Sequence, residues 1–185
     1  MAANEPNLPQ SSVWPSDQDA SGKSRGLQYV LGRLTRTLER DRLVQDTLTQ
    51  VRQQLAVDRL VLYYFFSEWR GQVTAEALAH PMLSILGSTG ADDCFNNQYA
   101  QLYLAGRTRA IADITASDLE ACHKEFLIDL QVQANLVVPV LVRGRLWGLL
   151  VAHHCQAPRT WAAADIALLQ ESAAKLANAP VIQAS

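Results

Sequence analysis

The chain has 185 residues, 49% of them hydrophobic and 18% charged, with a formal net charge of -2; that suits one globular domain with a sizeable core. The charge balance offers a polyanion no basic stripe, which argues against nucleic-acid binding, and no apolar run nears the roughly 20 residues a membrane helix needs. The opening MAANEPNLPQSSVWPSDQDASGK carries no hydrophobic signal core, so a cytoplasmic protein is expected.

Residues 1–25 are rich in Pro, Ser, Asn and Asp without a period, and are expected to form a flexible arm or linker. From Leu27 the pattern turns helical. Leu27, Val30, Leu31, Leu34 and Leu38 fall at three- and four-residue steps, and Leu43, Val44, Leu48, Val51 and Leu55 resume them after the charged break at residues 39–42. The β-branched and aromatic run Arg59 to Phe66 predicts a strand, Trp69 to Gln72 a polar turn, and Val73 to Ala79 a second strand. Pro81 to Asp93 reads as a long loop, which in a compact domain is usually functional. A short helix is expected over Asn96 to Leu104, a strand over Arg109 to Asp113, and an irregular-to-helical stretch over Ala116 to Leu130. Two strong strands, Ala134 to Val142 and Leu146 to His154, flank Arg143-Gly144-Arg145, a hairpin signal. Trp161 to Ala177 predicts a last helix with Thr160 as its N-cap. Helices at both ends of a mostly antiparallel sheet make an α+β fold, with one sheet face left for a loop-covered pocket.

Four segments say more. Asp92-Asp93-Cys94-Phe95 has the form Asp-any-Cys-Phe; Cys122-His123 opens a helical stretch; Ala134-Asn135-Leu136-Val137-Val138-Pro139-Val140 precedes Leu146-Trp147-Gly148-Leu149-Leu150-Val151-Ala152-His153-His154-Cys155; and Pro158-Arg159-Thr160-Trp161 closes the run. In this order and spacing they resemble the GAF domains of the phytochrome superfamily, specifically the cyanobacteriochromes named for their Asp-X-Cys-Phe motif. The resemblance covers residues 26–180, and implies a GAF fold whose terminal helices share one sheet face while a bilin pocket occupies the other.

The resemblance implies that Cys122 forms a thioether to a linear tetrapyrrole, phycocyanobilin or phycoviolobilin, and a thiol near a helix start has its thiolate favoured by the dipole. It places His123 against the middle pyrroles. Asp92, with Phe95 completing the motif, would accept from pyrrole N–H groups; the alternative for Asp92 or Asp93 is to cap the following helix. Cys94 would add reversibly to the central methine carbon, shortening the conjugated path and moving absorption to the blue. The family places an arginine on a bilin propionate. Arg109 fits that role and Arg107 competes for it, a solvated charge at a strand edge being the plain alternative. His153 would donate to the carbonyl of the D ring, with His154 and Cys155 facing elsewhere.

The three cysteines are an odd number in a chain without an export signal, so free thiols are expected. No Cys-x-x-Cys or tight His/Cys spacing supports zinc. Two other readings remain: a GAF module that binds a small ligand noncovalently or only dimerises, and a thiol redox sensor built on Cys94 and Cys122. No turnover enzyme is expected beyond self-catalysed chromophore attachment and isomerisation. Output would go to a kinase, cyclase or chemotaxis-type domain or partner, and the terminal helices offer a face for a homodimer.

Overall fold

The computed structural model describes residues 17–67, 70–90 and 97–185. Asp92, Cys94 and Phe95, three of the residues expected at the site, lie outside them.

Helix α1 spans Asp17–Arg40 and α2 Arg42–Leu55. The break falls at Asp41, whose carboxylate accepts from Val44 N at 3.0 Å and caps α2. The start of α1 lies within the arm expected over residues 1–25. Residues 17–24 are polar and carry no apolar stripe, so periodicity gave no sign of that turn. Both helices turn their regular apolar positions inward: Leu31 and Leu38 from α1, and Val44, Leu48, Val51 and Leu55 from α2, are all at most 4% exposed.

Strands β1 (Arg59–Ser67), β2 (Arg70–Leu78), β3 (Arg109–Ile111), β4 (Ala134–Val142) and β5 (Arg145–His154) form one antiparallel sheet in the order β2-β1-β5-β4-β3. Strand β2 begins inside the polar turn expected over Trp69 to Gln72, since Arg70 already pairs with Ser67. The β4–β5 turn consists of Arg143 and Gly144 alone, with φ of 51° and 75°. Positive φ at both positions is what a two-residue type I′ hairpin requires. Gly148 meets a different demand: a Cβ there would lie 2.0 Å from the carbonyl oxygen of Tyr63 on β1.

Strand alternation splits the sheet into two faces. Leu60, Leu62, Leu136, Val138, Val140, Leu150 and Ala152 face the helices and pack with α2 and with α5 (Ala163–Ala177). Val61, Val73, Val137, Leu149 and Val151 face the other way, with Tyr103 of α3 (Asn97–Leu104) over them. A third cluster of Ile111, Ile114, Leu119, Leu127 and Val132 seats α4 (Ala121–Asp129) beside β3.

Thr160 does not cap α5. The helix begins at Ala163, and Asp165 folds back to accept from Ala162 N at 3.1 Å. The preceding residues instead lock the edges of the fold. Trp161 Nε1 donates to Ile111 O at 3.1 Å, Arg159 stacks over the Trp161 ring at 4.7 Å, and its guanidinium also donates to Leu55 O. A short α6 (Pro180–Gln183), which the sequence did not announce, buries Ile182 against the same layer.

Candidate functional site: an apolar cavity with polar groups on its wall

The sheet face away from the helices forms the floor of a cavity. Val61, Tyr63, Phe65, Val137, Leu149 and Val151 line it from below, and Phe126, Leu127 and Leu130 close it from the side of α4. The loop after β2 forms another wall. Glu76 holds that loop in place by accepting from Ser84 Oγ and from Ile85 N, and Gly90 N donates to Tyr63 Oη at 3.0 Å.

Arg109, His123, Asn135 and His153 bring a cation, two imidazoles and an amide to this lining, with Ser88 and Thr89 beside them. Arg109 leaves β3 beside His123, close enough for its charge to add to burial in holding the imidazole below its ordinary pKa. The pair therefore presents one fixed cation and one neutral ring to anything in the cavity. Arg109 lies 3.7 Å from the fully exposed carboxylate of Asp118. Arg107, its competitor in the sequence, does not line the cavity.

Cys122 is the second residue of α4, as expected of a Cys-His pair at a helix start. It is exposed and stands outside the lining, while the adjacent His123 turns in. A group anchored at Cys122 would therefore enter the cavity from its rim. The expectation that all the thiols are free is corrected here. Cys155 is free, but Cys122 is disulfide-bonded. An odd number of cysteines excludes a complete set of pairs; it does not exclude one. Among the described residues no group of three or more His, Cys, Asp or Glu could hold a metal ion.

His153 sits on β5 and is 4% exposed. The sequence pointed to His153 but not to the residue that holds it. Arg59 Nε donates to His153 Nδ1 at 3.0 Å, while its two terminal nitrogens donate to Leu83 O at 2.7 Å and Leu130 O at 2.9 Å. One buried guanidinium thus ties together β1, β5, the loop after β2 and the end of α4. Burial and the Arg59 charge keep His153 well below the usual histidine range. Asp58, next in the chain, accepts from Cys155 N and from Gln156 Nε2, both at 2.7 Å, and fixes the chain leaving β5. His154 points elsewhere, with Nδ1 at 2.8 Å from Ala157 O.

Arg59 and Asn135 were both missed in the sequence. Arg59 looks like a strand-edge charge and Asn135 like an interruption of an apolar strand. Only the lateral pairing of the strands shows that both sit beside His153.

Residues 39–179 match the GAF domain family, to which the chain belongs. Its fold and its relatives place it among GAF domains of the cyanobacteriochrome and phytochrome kind. An uncharacterised protein of Picosynechococcus sp. (strain PCC 7002) is 52% identical over 154 residues, covering 83% of this chain and 94% of that one. The circadian input-output histidine kinase CikA of Synechocystis sp. (strain PCC 6803) is 33% identical over 172 residues, covering 80% of this chain but only 23% of the kinase. The blue-light absorbing form of the Thermosynechococcus elongatus PixJ GAF domain superposes with a TM-score of 0.70 at 32% identity, covering 77% of this chain and 83% of that one. The phycocyanobilin-bound GAF domain of a cyanobacterial phytochrome does so with a TM-score of 0.68 at 29% identity, covering 84% and 94%.

Proposed function

We propose that this GAF domain is a photoreceptor module that holds a linear tetrapyrrole covalently and reports its light state to a signalling partner. The observation that carries the reading is the wall of the cavity: an apolar slot bearing one cation, two neutral histidines and an amide, with Cys122 at its rim. A bilin offers the complement, with flat apolar rings, propionates for Arg109, and ring N–H and C=O groups for the rest. When bound, it supplies light absorption and a photoisomerisable bridge between its last two rings.

Cys122 is the anchor. Its sulfur would add across the exocyclic double bond of the first ring with the thiol proton ending on carbon, so no oxidant would be consumed. Arg109 would hold a propionate and His123 would lie against the central pyrroles, with Asp92 accepting from their N–H groups. Cys94 would add its thiol reversibly to the central methine, giving a blue-absorbing form, and would release it in the longer-wavelength form. Phycocyanobilin and phycoviolobilin both suit this chemistry. The site performs no turnover reaction. The likeness to parts of a histidine kinase and of a putative methyl-accepting chemotaxis protein supports output through a kinase or chemotaxis-type partner, which we place in the cytoplasm, and the exposed Tyr29 and Val30 of α1 offer a face for a homodimer.

The test is co-expression with a bilin-producing pathway. Wild type should be coloured and photoswitching. Cys122→Ala should lose covalent pigment on denaturing gels, and Cys94→Ala should keep it but lose the blue band. Covalent pigment at wild-type level on Cys122→Ala would reject the anchor, and an unchanged blue band in Cys94→Ala would reject the second linkage.

One observation favours a second reading, a thiol redox sensor, because Cys122 is disulfide-bonded. The two readings separate on reduction. If Cys122 is the anchor, oxidised protein should take up bilin only after a reductant frees the thiol. A pure redox sensor would stay colourless in either state.

A further inference from the structure

The formal charge of -2 conceals a local excess of the opposite sign. Residues 25–40, most of α1, carry four arginines and one glutamate, a net of +3 in a chain whose remaining residues are therefore acidic overall. Arg33, Arg36 and Arg40 follow at three- and four-residue steps, which sets them in one row about 10 Å long on a single helix face. All three are exposed, and none forms an ion pair among the described residues. Arg33 lies 6.0 Å from the centre of the Tyr29 ring, and the adjacent Asp41 directs its carboxylate to Val44 N. Like charges at this spacing destabilise a helix, and a partner of opposite charge would relieve that.

An apolar groove borders the row. Val30 and Leu34 line it from α1, and Val181 and Ala184 from α6 and its C-cap; Arg33 and Thr37 belong to both groove and row. Val30 is 59% exposed, while Leu34 and Val181 are half-buried against the helix-side core. Such a groove, with cations along one side, is the complement of an amphipathic helix that carries carboxylates beside its apolar stripe.

We propose that α1 and α6 form the docking site for an acidic amphipathic helix of another protein, its apolar stripe in the groove and its carboxylates on Arg33, Arg36 and Arg40. Other occupants fit less well. Duplex nucleic acid is held by neutralising roughly 6–10 phosphates, and the row offers too few cations. A membrane surface takes a helix whose apolar face is free to insert, whereas Leu31 and Leu38 are buried in this protein's own core. A second copy laid along the row would set arginine against arginine. None of these residues lines the cavity, so the site stands apart from the tetrapyrrole reading. A homodimer would compete with it for Val30.

The test is fluorescence anisotropy of the full chain with three labelled peptides of about 20 residues, long enough to be helical. One has a leucine stripe flanked by glutamates, one has lysines in place of the glutamates, and one is the glutamate peptide scrambled. The glutamate peptide should bind, and more weakly as ionic strength rises. The lysine and scrambled peptides should bind weaker by about tenfold or more, and Arg33→Gln with Arg36→Gln should weaken the glutamate peptide by about tenfold. Val30→Asp should weaken it too. The hairpin pair Arg143→Gln with Arg145→Gln, an equal change in net charge, should leave it near wild type. All five side chains are exposed, so melting temperatures should stay near wild type. No binding of the glutamate peptide to wild type, an equal loss in the hairpin pair, or equal binding of the lysine peptide would overturn the proposal. So would sedimentation with phosphatidylglycerol vesicles, or self-association, that is lost in Arg33→Gln with Arg36→Gln; the row would then belong to a membrane or to a second copy.

Discussion

Arg59 donates into Nδ1 of His153 within a site that is almost closed to water. Protonating that nitrogen would break the bond and set two cations side by side, while Asp58 and Glu76 lie near enough to help hold Arg59 charged. The folded protein thus takes up a proton at His153 far less readily than the unfolded chain, and His123 is shifted the same way by burial and by Arg109. With the unfolded state binding more protons, stability rises with pH. It should be undiminished above an ordinary histidine pKa of about 6.5 and fall as pH drops below it. Each histidine contributes a slope of up to about 1.4 kcal/mol per pH unit down to its folded pKa. Chemical denaturation of ligand-free protein between pH 7.5 and 5 (roughly the window that an unperturbed pKa near 6.5 sets) should show the loss. His153→Gln keeps an acceptor for Arg59 and should flatten the curve, whereas an unaltered slope in that variant would place the acid sensitivity elsewhere.

At the scale of elements, Gly148 shows how a single position sets strand spacing. Its missing Cβ leaves room for the Tyr63 carbonyl of β1, which is backbone and cannot swing away. Gly148→Ala should therefore force β1 and β5 apart and cost on the order of 3 kcal/mol, the upper range for overpacking. A thermal shift within error of wild type would mean that the two strands tolerate the separation. The helices α1 and α2, the β4–β5 hairpin and α4 were legible in the sequence from an apolar period with a charged break, from Gly144 in the turn, and, for the start of α4, from the resemblance carried by the Cys-His pair. The extra turns of α1, the cap of α5 and the short α6 were not. The first lacks apolar residues, the second is made by Asp165 folding back where Thr160 matched the usual rule, and the third is held by burial of Ile182. The site divides in the same way. Arg109, His123 and His153 were recognised as members of motifs, and the structure brings all three to one cavity. Arg59 lies outside the four segments and Asn135 stands in one of them without a role of its own; the meaning of both comes from strand register, which sequence periodicity does not fix across neighbours.

Across the whole molecule the sheet separates two jobs by alternate residues. Leu62, Leu150 and Val138 form one cross-strand row on the helix side, each 0% exposed, and Val61, Val151 and Val137 form the next row on the cavity side, at 2%, 7% and 6%. The first row is enclosed by packed side chains, so shortening it leaves a hole that nothing fills. The second already borders open space, so a lost methyl merely widens the cavity. Leu150→Ala should therefore cost about 2–5 kcal/mol, seen as a large drop in melting temperature, with the absorption maxima of whatever pigmented protein folds left in place. Val151→Ala should cost less stability than Leu150→Ala yet shift or broaden the pigment bands, because it alters the wall against the rings. Measured together, melting curves and spectra of the two variants should cross over: the mutation that damages the fold more should disturb the colour less. If Leu150→Ala moved the absorption as far as Val151→Ala, the sheet would be transmitting packing changes from the helices to the cavity, and the separation of the two faces would be lost.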